Sequence, residues 1–267
     1  MKVAILGSNG FVGKSLCHIF KDKFTIIPVT RLDLNLTNFN EVDSWLNKCA
    51  PDIIVNCATA GGKQALSKQE VNYSELQNNL TIFLNFYNNK KTKKFINVGS
   101  GAEFEKSRDL SNIKEDEILN ICPIDTYSYS KNIISRLVLN RENFYTLRLF
   151  GCFGKFEPDF RLFKKLNESI SIELIDRYFD YISVKDYANI VEYYILNQGL
   201  PKDVNCVYKE KNKLSTIVDK FIDIHKLRTE VVIKSTTNEN YTGNADRLNR
   251  LGIYLEGLES GIKKYFL

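Results

Sequence analysis

The chain has 267 residues, of which 43% are hydrophobic and 26% charged, and it carries a formal net charge of +5. This composition is typical of a globular protein, and no apolar run reaches the roughly 20 residues that a membrane-spanning helix requires. The lysines are spread along the chain and no nucleic-acid-binding motif accompanies them, so we expect neither a membrane nor a nucleic acid as a partner. The mild positive charge suits a small anionic substrate.

The cysteines and histidines indicate a reducing compartment and argue against a metal centre. Six cysteines are scattered without C-x-x-C spacing, and several lie in apolar runs, as free thiols in the cytoplasm do. The apolar run at the N-terminus is too short for a signal peptide and is needed as a strand, which also favours a cytoplasmic protein. Both histidines, His18 and His225, lie in helical patterns, so we expect no metal site.

The first fourteen residues contain the most informative pattern in the chain. Lys2–Leu6 is a short apolar run, glycines follow at Gly7, Gly10 and Gly13, and apolar residues then recur at helical spacing from Val12 to Phe20. A strand, a glycine turn and a helix in this order bind the pyrophosphate of a dinucleotide, because the helix start offers free N–H groups to the phosphates. The alternative is a glycine turn in some other α/β protein.

The segment after the second strand predicts which dinucleotide is bound. Residues 24–29 are the expected strand, although Pro28 is unfavourable there because proline removes a ladder donor. Arg31 and Asp33 follow. An arginine here favours the 2′-phosphate of NADP, whereas an acid would hold the ribose of NAD. We favour Arg31 because it is closer to the strand end, and we expect NADPH (NADP) rather than NADH (NAD).

Strands and helices alternate up to residue 150. We expect a short strand near 34–38, strands over 52–58, 94–98 and 145–149, and helices over 39–49, 70–89 and 126–143. Such alternation implies a parallel sheet covered by helices on both faces. The predicted fold class is therefore α/β, with a Rossmann-type doubly wound parallel sheet and residues 1–150 as the NAD(P)-binding domain.

The pattern changes beyond residue 150. Residues 151–154 read as a turn, and shorter elements follow, with helices near 160–167, 186–197, 214–225 and 258–266 and a strand at 170–175. We expect residues 151–267 to form a smaller C-terminal α/β lobe that holds the substrate over the strand ends, with 204–208 returning to the main sheet.

Tyr127 and Lys131, at the start of the second long helix, predict the chemistry. Residues four apart share a helical face, and an ammonium beside a phenol lowers the pKa of that phenol. Reduction of a carbonyl by hydride needs such an acid at the oxygen. Two other Tyr-x-x-x-Lys pairs occur, but neither follows a strand that ends in a small polar turn with a serine, as Ser100 does here. A solvated helix face is the alternative.

The order of these motifs resembles that of the extended short-chain dehydrogenases/reductases, the NAD-dependent epimerase/dehydratase family, which act on nucleotide sugars. The residues that carry the resemblance are Gly7-x-x-Gly10-x-x-Gly13, Asn56-Cys-Ala58, Ser100 and Tyr127-x-x-x-Lys131, in the order of the family. Residues 31–36, 60–62 and 245–252 are most similar to GDP-L-fucose synthase and related reductases of nucleotide-linked 4-keto-6-deoxy sugars.

The resemblance implies a role for each site residue. Ser100 would hold the substrate carbonyl, Tyr127 would be the acid/base, and Lys131 would bind the nicotinamide ribose with Asn79 supporting it. The implied substrate contacts are Gly101, Ala102 and Arg177. The implied cofactor contacts are Gly7, Ser8, Asn9, Gly10, Phe11, Val12, Gly13, Arg31, Asn35, Leu36, Cys57, Ala58, Thr59, Asn79 and Lys131. A homodimer through the long helices 70–89 and 126–143 is also expected.

Departures from the family pattern narrow the expected reaction. Sugar-nucleotide 4,6-dehydratases follow their serine with Asp-Glu, whereas Ser100 is followed by Gly101 and Ala102. The cysteine and histidine of GDP-L-fucose synthase, the acid/base pair of 3,5-epimerisation, are replaced by Ala102 and the histidine-free run 154–159. Arg177 lies two residues earlier than the arginine of the family.

We therefore expect NADPH-dependent reduction of the 4-keto group of a nucleotide-linked 4-keto-6-deoxy sugar, without 3,5-epimerisation, in the biosynthesis of sugars for cell-surface polysaccharide. A 4-epimerase with tightly bound NAD uses the same serine, tyrosine and lysine, but Arg31 argues against it. A non-enzymatic dinucleotide-binding regulator on the same fold is a third alternative, although it has no need of Ser100, Tyr127 and Lys131.

Overall fold

Strands and helices alternate along most of the chain, which a computed structural model describes over residues 1–61 and 73–267. In chain order the strands are β1 Lys2–Leu6, β2 Thr25–Val29, β3 Ile53–Asn56, β4 Phe95–Ser100, β5 Leu110–Ile113, β6 Phe144–Leu149, β7 Gly151–Phe153, β8 Ser171–Asp176, β9 Tyr181–Ser183, β10 Asp203–Asn205, β11 Glu230–Thr236 and β12 Tyr241–Gly243. The helices are α1 Phe11–Phe20, α2 Phe39–Cys49, α3 Tyr73–Tyr87, α4 Thr126–Leu139, α5 Leu162–Glu168, α6 Val184–Leu196, α7 Leu214–His225, α8 Asp246–Asn249 and α9 Leu258–Lys263.

The centre of the fold is a parallel sheet of six strands in the order β10-β6-β4-β3-β1-β2. The chain moves outward from β1 to β2 and then crosses back to β3, so the strand order reverses between β1 and β3. Ligands of open α/β sheets bind at such a reversal, outside the carboxyl ends of the strands. β10 joins the far edge parallel to β6 and contains residues 204 and 205 of the segment 204–208 that was expected to return to the main sheet.

Helices cover both faces of this sheet. Successive residues of each strand point to opposite sides, so each strand contributes to two apolar clusters. Val3 and Ile5 of β1 pack in one apolar cluster with residues of α1 and α6. Ala4 and Leu6 pack in another cluster with residues of α2, α3 and α4. The doubly wound α/β prediction is confirmed. Within the described ranges, no helix combines the length and apolar character needed to cross a membrane.

The edge position of β2 explains how the sheet accepts a proline. Pro28 stands opposite Ile5 of β1, and β2 has no further strand on its outer side in the described sheet. The ladder donor that proline lacks is therefore not required there.

Part of the chain beyond β6 forms a separate apolar cluster, in which Phe153, Phe163 and Phe221 are fully buried. Three small parallel pairings stabilise this region: β8 with β11, β7 with β9, and β5 with β12. β5 precedes residue 150, so its pairing with β12 joins the two halves of the chain. The division of domains at residue 150 remains a prediction.

Two local predictions are wrong. Residues 151–154 are not simply a turn, because Gly151–Phe153 forms β7. A Cβ on Gly151 would lie 2.8 Å from the Asp180 carbonyl oxygen, so the glycine permits close strand pairing. No strand forms at 34–38, because the Asn35 side chain accepts the Thr37 backbone N–H at 3.1 Å and closes a local turn. The predicted helix 70–89 is observed as α3, and residues 70–72 lie outside the described residues.

A buried ion-pair network joins β6, β10 and the turn that follows β4. Arg148 of β6 is fully buried, and its Nε donates to Glu103 Oε2 at 2.7 Å. Its terminal nitrogens donate to Asp203 Oδ2 and Asn205 Oδ1 of β10, both at 3.1 Å. Glu103 lies in the 3-10 turn that directly follows β4, and it is also fully buried.

Removal of the Glu103 charge should destabilise the protein. Glu103→Gln leaves the buried Arg148 guanidinium short of one counter-charge, which we expect to lower the free energy of unfolding by about 3 kcal/mol. Urea denaturation measures this change. Glu259→Gln, which breaks an exposed i,i+4 pair with Lys263, is the matched control and should leave the midpoint unchanged. Equal shifts of the two midpoints would contradict the role given to the buried pair.

Candidate active site

In the glycine turn after β1, two glycines are required by close backbone contacts, and the third leaves space for a ligand. Gly7 has a φ of +72°, and a Cβ there would lie 2.8 Å from the Ala58 backbone. A Cβ on Gly13 would lie 2.3 Å from the Gly7 carbonyl oxygen. A Cβ on Gly10 would meet only that oxygen, at 3.4 Å, and Gly10 is exposed. Gly7 and Gly13 thus serve the fold, whereas Gly10 leaves room for a ligand.

The start of α1 presents free hydrogen-bond donors to this space. Its N-cap is Gly10, which has no side chain to cap the first turn, and Phe11 and Val12 are the first helical residues. Ser8 Oγ is buried without a hydrogen-bond partner among the described residues, and the neighbouring Asn9 is exposed. An uncapped helix start and an unpartnered hydroxyl fit a pyrophosphate, which accepts hydrogen bonds.

Arg31 and Asp33 have different positions in the turn after β2. The Asp33 carboxylate accepts from Thr30 N at 2.8 Å and from Thr30 Oγ1 at 2.6 Å, and these hydrogen bonds hold its pKa below the usual range. Arg31 is exposed, and its Nη2 donates to the Thr59 carbonyl at 3.5 Å, beyond the end of β3. Asp33 therefore closes the turn, while the Arg31 guanidinium faces the carboxyl edge of the sheet.

The other predicted cofactor residues flank the same edge. Cys57, Ala58 and Thr59 directly follow β3, where the Ala58 N–H donates to Asn56 Oδ1 at 3.2 Å. The side chain of Asn35 serves its local turn. Leu36 is buried in the core beside α3, and its carbonyl accepts from Asn85 Nδ2 at 2.8 Å.

Ser100, Tyr127 and Lys131 come together at the carboxyl ends of the central strands. Ser100 is the last residue of β4, and α4 begins beside it with Asp125 as its N-cap. The Ser100 side chain is close enough to the Tyr127 phenol to oppose the rise in the pKa of that phenol. Lys131 Nζ donates to the Val98 carbonyl of β4 at 3.1 Å and lies 6.0 Å from the Tyr127 ring centroid. These three residues, predicted from the sequence as catalytic, are adjacent.

Asn79 supports this helix one residue away from the predicted contact. Its Nδ2 donates to Ser130 Oγ at 3.2 Å, and its Oδ1 accepts from the Ala60 N–H at 2.7 Å and from Thr59 Oγ1 at 3.2 Å. Asn79 therefore links the segment after β3 to the residue before Lys131, rather than to the ammonium itself.

The prediction that Lys131 lowers the pKa of Tyr127 is wrong for this structure. Burial of the phenol raises the pKa of Tyr127 to about 12, and the Ser100 side chain opposes this only in part. Burial also lowers the pKa of Lys131, against the opposing charge of Glu103. Tyr127 is therefore protonated at neutral pH, which is the form that donates a proton to a ketone oxygen.

The predicted substrate residues lie on two sides of Ser100. Gly101 and Ala102 form the 3-10 turn after it, and a Cβ on Gly101 would lie 2.5 Å from the Phe150 ring. Arg177 Nη1 donates to the Glu239 carbonyl at 3.3 Å, away from Ser100, in the segment between β8 and β9.

Tyr241 is a site residue that the sequence analysis missed. It lies on β12, and the Ser100 side chain is close enough to its phenol to oppose the rise in the pKa that burial causes. Its ring stacks on Phe179 at 5.1 Å, and the Arg177 guanidinium lies 5.5 Å from the Phe179 ring. The Phe179 ring thus lies between Arg177 and Tyr241. Tyr241 lies just before residues 245–252, which carry part of the resemblance. This proximity was the signal from which the sequence could have identified it.

The fold and site are those of a dinucleotide-binding protein with a Ser-Tyr-Lys group. Residues 3–206 match the model of the NAD dependent epimerase/dehydratase family, and the chain belongs to that family. It is 26% identical to GDP-6-deoxy-D-talose 4-dehydrogenase of Aggregatibacter actinomycetemcomitans over 212 residues, which are 72% of this chain and 69% of that protein.

Solved structures show the same fold. The chain superimposes with a TM-score of 0.83 on dTDP-4-dehydrorhamnose reductase of Bacillus anthracis in complex with NADP, at 17% identity over 99% of this chain and 98% of that one. It superimposes with a TM-score of 0.79 on GDP-mannoheptose C4 reductase of Campylobacter jejuni with NADP bound, at 19% identity over 99% and 96% of the two chains.

Arg31→Ala should weaken binding of NADPH much more than binding of NADH. A charge-assisted contact to the 2′-phosphate contributes about 1.5–3 kcal/mol, which NADH does not receive. Isothermal titration with both cofactors measures the difference, and Arg228→Ala, at an exposed arginine after α7, is the control. Equal losses for both cofactors would assign the ribose to Asp33 instead.

Proposed function

We propose that this chain is an NADPH-dependent reductase of the 4-keto group of a nucleotide-linked 4-keto-6-deoxy sugar, acting in the cytoplasm in the biosynthesis of sugars for cell-surface polysaccharide. The observation that carries the proposal is the placement of Lys131 Nζ 6.0 Å from the Tyr127 ring and 3.1 Å from the Val98 carbonyl of β4, the strand that ends in Ser100, at the sheet edge where the glycine turn also lies. A dinucleotide-binding regulator would have no need of this arrangement.

The cofactor site fits a dinucleotide phosphate. The open face at Gly10, the unpartnered Ser8 Oγ and the uncapped start of α1 would hold the pyrophosphate, and Arg31 would hold the 2′-phosphate. Solved relatives of the same fold, two of which are named above, carry NADP.

The site residues divide the reaction between them. When bound, the cofactor supplies hydride to the ketone carbon. Ser100 donates a hydrogen bond to the ketone oxygen and orients it, and Tyr127 transfers its phenolic proton to that oxygen as negative charge develops there. Lys131, held by the Val98 carbonyl, is placed to bind the nicotinamide ribose and to stabilise the phenolate that remains. The product is a secondary alcohol, and Tyr127 regains its proton from water.

The names of the relatives support the substrate class. GDP-6-deoxy-D-talose 4-dehydrogenase places the redox step at carbon 4 of a nucleotide-linked 6-deoxy sugar, and GDP-mannoheptose C4 reductase places it at the same carbon. We propose that residues 151–267 contribute most of the nucleotide-sugar site, with Gly101, Ala102 and Arg177 among its contacts. We also propose a homodimer through α3 and α4, which pack side by side on one face of the sheet.

A 3,5-epimerising activity is not part of the proposal. Ala102 replaces the cysteine of GDP-L-fucose synthase, and Cys152, in the segment 151–154, is the thiol expected near the sugar site. Cys152 is buried, and burial raises the pKa of its thiol to about 12. The thiol therefore stays protonated and cannot act as a base at neutral pH.

Tyr127→Phe should abolish turnover and leave NADPH binding nearly intact, because the hydroxyl rather than the ring carries the proton. The expected loss of kcat is about 10²–10⁴-fold. The assay is NADPH oxidation with a panel of nucleotide-linked 4-keto sugars, and it also tests the proposed function, since a wild type that oxidises NADPH with none of them is not such a reductase. Tyr129→Phe, two residues along the same helix, is the control and should retain activity.

In heavy water, the enzyme should leave carbons 3 and 5 of the sugar unlabelled. The protons there are acidic beside the ketone, but a positioned base is needed to remove them. NMR or mass spectrometry of the product, compared with a sample without enzyme, measures deuterium at both carbons. Enzyme-dependent deuterium would show that the protein is a combined epimerase and reductase. Cofactor that stays bound through purification as NAD would instead favour the 4-epimerase.

A further inference from the structure

The turn that follows β4 joins Ser100 to Glu103 by reciprocal hydrogen bonds. Glu103 Oε1 accepts from the Ser100 backbone N–H at 2.8 Å, and Ser100 Oγ accepts from the Ala102 backbone N–H at 3.2 Å. This arrangement is a capping box, in which two side chains satisfy backbone donors of the same turn. The backbone and the side chain of Ser100 are therefore fixed together.

The turn leaves the proton of the Ser100 hydroxyl available. A serine hydroxyl has one proton and two lone pairs, and Oγ acts only as an acceptor in its hydrogen bond with Ala102. Rotation about the Cα–Cβ bond of Ser100 would break this hydrogen bond. The turn thus determines where Oγ lies, while the proton can be donated to a group outside the turn.

The Glu103 carboxylate is itself held on several sides. Its Oε2 accepts from Arg148 Nε and from Ser135 Oγ, both at 2.7 Å, and Glu103 and Arg148 are fully buried. Ser135 lies on α4, the helix that also carries the proposed acid/base. A Cβ on Gly99 would lie 2.7 Å from Glu103 Oε1, so this glycine leaves the space that the carboxylate occupies.

We propose that Glu103 is a positioning residue for the reduction, because its carboxylate fixes Ser100 relative to α4 and so places the Ser100 hydroxyl beside Tyr127 at the ketone oxygen. The inference rests on the proposed reductase function and adds to it a residue that acts through Ser100. A donor stabilises a developing oxyanion only when it is held at hydrogen-bond distance from that oxygen, and a misplacement of about 1 Å can cost about 10²-fold in rate.

The first test is Glu103→Gln, which has one oxygen in place of two. The buried Arg148 guanidinium is the stronger donor, so this oxygen should turn to Arg148 and the NH₂ group should face the Ser100 N–H. Two donors then oppose each other, and Ser100 loses its anchor. We expect kcat to fall by about 10–10²-fold, with the Kd of NADPH unchanged.

A double-mutant cycle shows whether the loss is transmitted by Ser100. Ser100→Ala alone should lower kcat by about 10²–10³-fold. In the Ser100→Ala background, Glu103→Gln should have little further effect, because the group through which it acts is gone. Equal losses in both backgrounds would overturn the proposal.

Asp203→Asn is the matched control. Asp203 is also buried and accepts from Arg148 Nη2 at 3.1 Å, but no hydrogen bond joins it to Ser100 or to α4 in the described structure. Both variants should lower the midpoint of urea denaturation, whereas only Glu103→Gln should lower kcat when both are assayed well below unfolding. If Asp203→Asn loses as much kcat, the effect comes from loosening of the ion-pair network and the proposal is wrong.

Glu103→Asp tests the same contact without loss of charge. The side chain is shorter by one methylene, and a buried guanidinium requires its counter-charge, so the carboxylate should stay with Arg148 and give up the Ser100 N–H. This variant should lose kcat as Glu103→Gln does and should lose less stability. A wild-type kcat in Glu103→Asp would contradict the positioning role.

The Ser100 amide provides a readout without turnover. With nitrogen-15 on serine and carbon-13 on the glycine carbonyl, only Ser8 and Ser100 follow a glycine and give a signal, and Ser100→Ala identifies the second. The amide proton of Ser100 should move upfield in Glu103→Gln and Glu103→Asp, which remove its carboxylate acceptor, and should stay in place in Asp203→Asn. An unmoved resonance in both Glu103 variants would refute the contact. A wild type inactive on every sugar would refute the reductase function, and this resonance would still decide whether Glu103 holds Ser100.

Discussion

The ion pair between Arg148 and Glu103 is the constraint on which the arrangement of β4, β6 and α4 around Ser100 depends. Both side chains are fully buried, so the cost of removing two charges from water is offset only by good geometry and by further hydrogen bonds. Glu103 meets this condition, since it accepts from Arg148 Nε at 2.7 Å, Ser135 Oγ at 2.7 Å and the Ser100 backbone N–H at 2.8 Å. One carboxylate thus connects β6, α4 and Ser100, so a shift of any of them would leave a buried charge unsatisfied.

The site is built at the meeting of elements that belong to different parts of the chain. The glycine turn comes from the first crossover, Ser100 from the central strand β4, Tyr127 and Lys131 from the start of α4, and Tyr241 from β12. Parallel strands make this convergence possible, because they bring the carboxyl ends of sequentially distant segments to one edge. The raised pKa of Tyr127 follows from burial of the phenol at this edge, which keeps the phenol protonated at neutral pH.

The sequence predicts the parts of the fold whose signals are local. The predicted helix 39–49 matches α2 at both ends. Its start is marked by Asn38, whose side chain accepts from the N–H groups of Asn40 and Glu41. The strand expected at 34–38 does not form because the Asn35 side chain makes a competing hydrogen bond to the local backbone. The sequence predicts a turn at Gly151 because a glycine that permits close strand pairing has the same local pattern as a glycine in a turn. The pKa of Tyr127 depends on the burial of its phenol, and the position of Tyr241 depends on the long-range pairing of β12 with β5. Neither property can be predicted from residues that are neighbours in the sequence.

The pairing of β5 with β12 also determines at which stage of folding Tyr241 reaches the site. The hydrogen bond from Thr242 Oγ1 to the Leu110 carbonyl joins residues 132 positions apart, and contacts of such sequence separation form late because a long loop must close first. During synthesis, the dinucleotide turn and the catalytic helix leave the ribosome well before Tyr241 does. The contacts of β12 with β5 therefore arise only when the C-terminal segment docks.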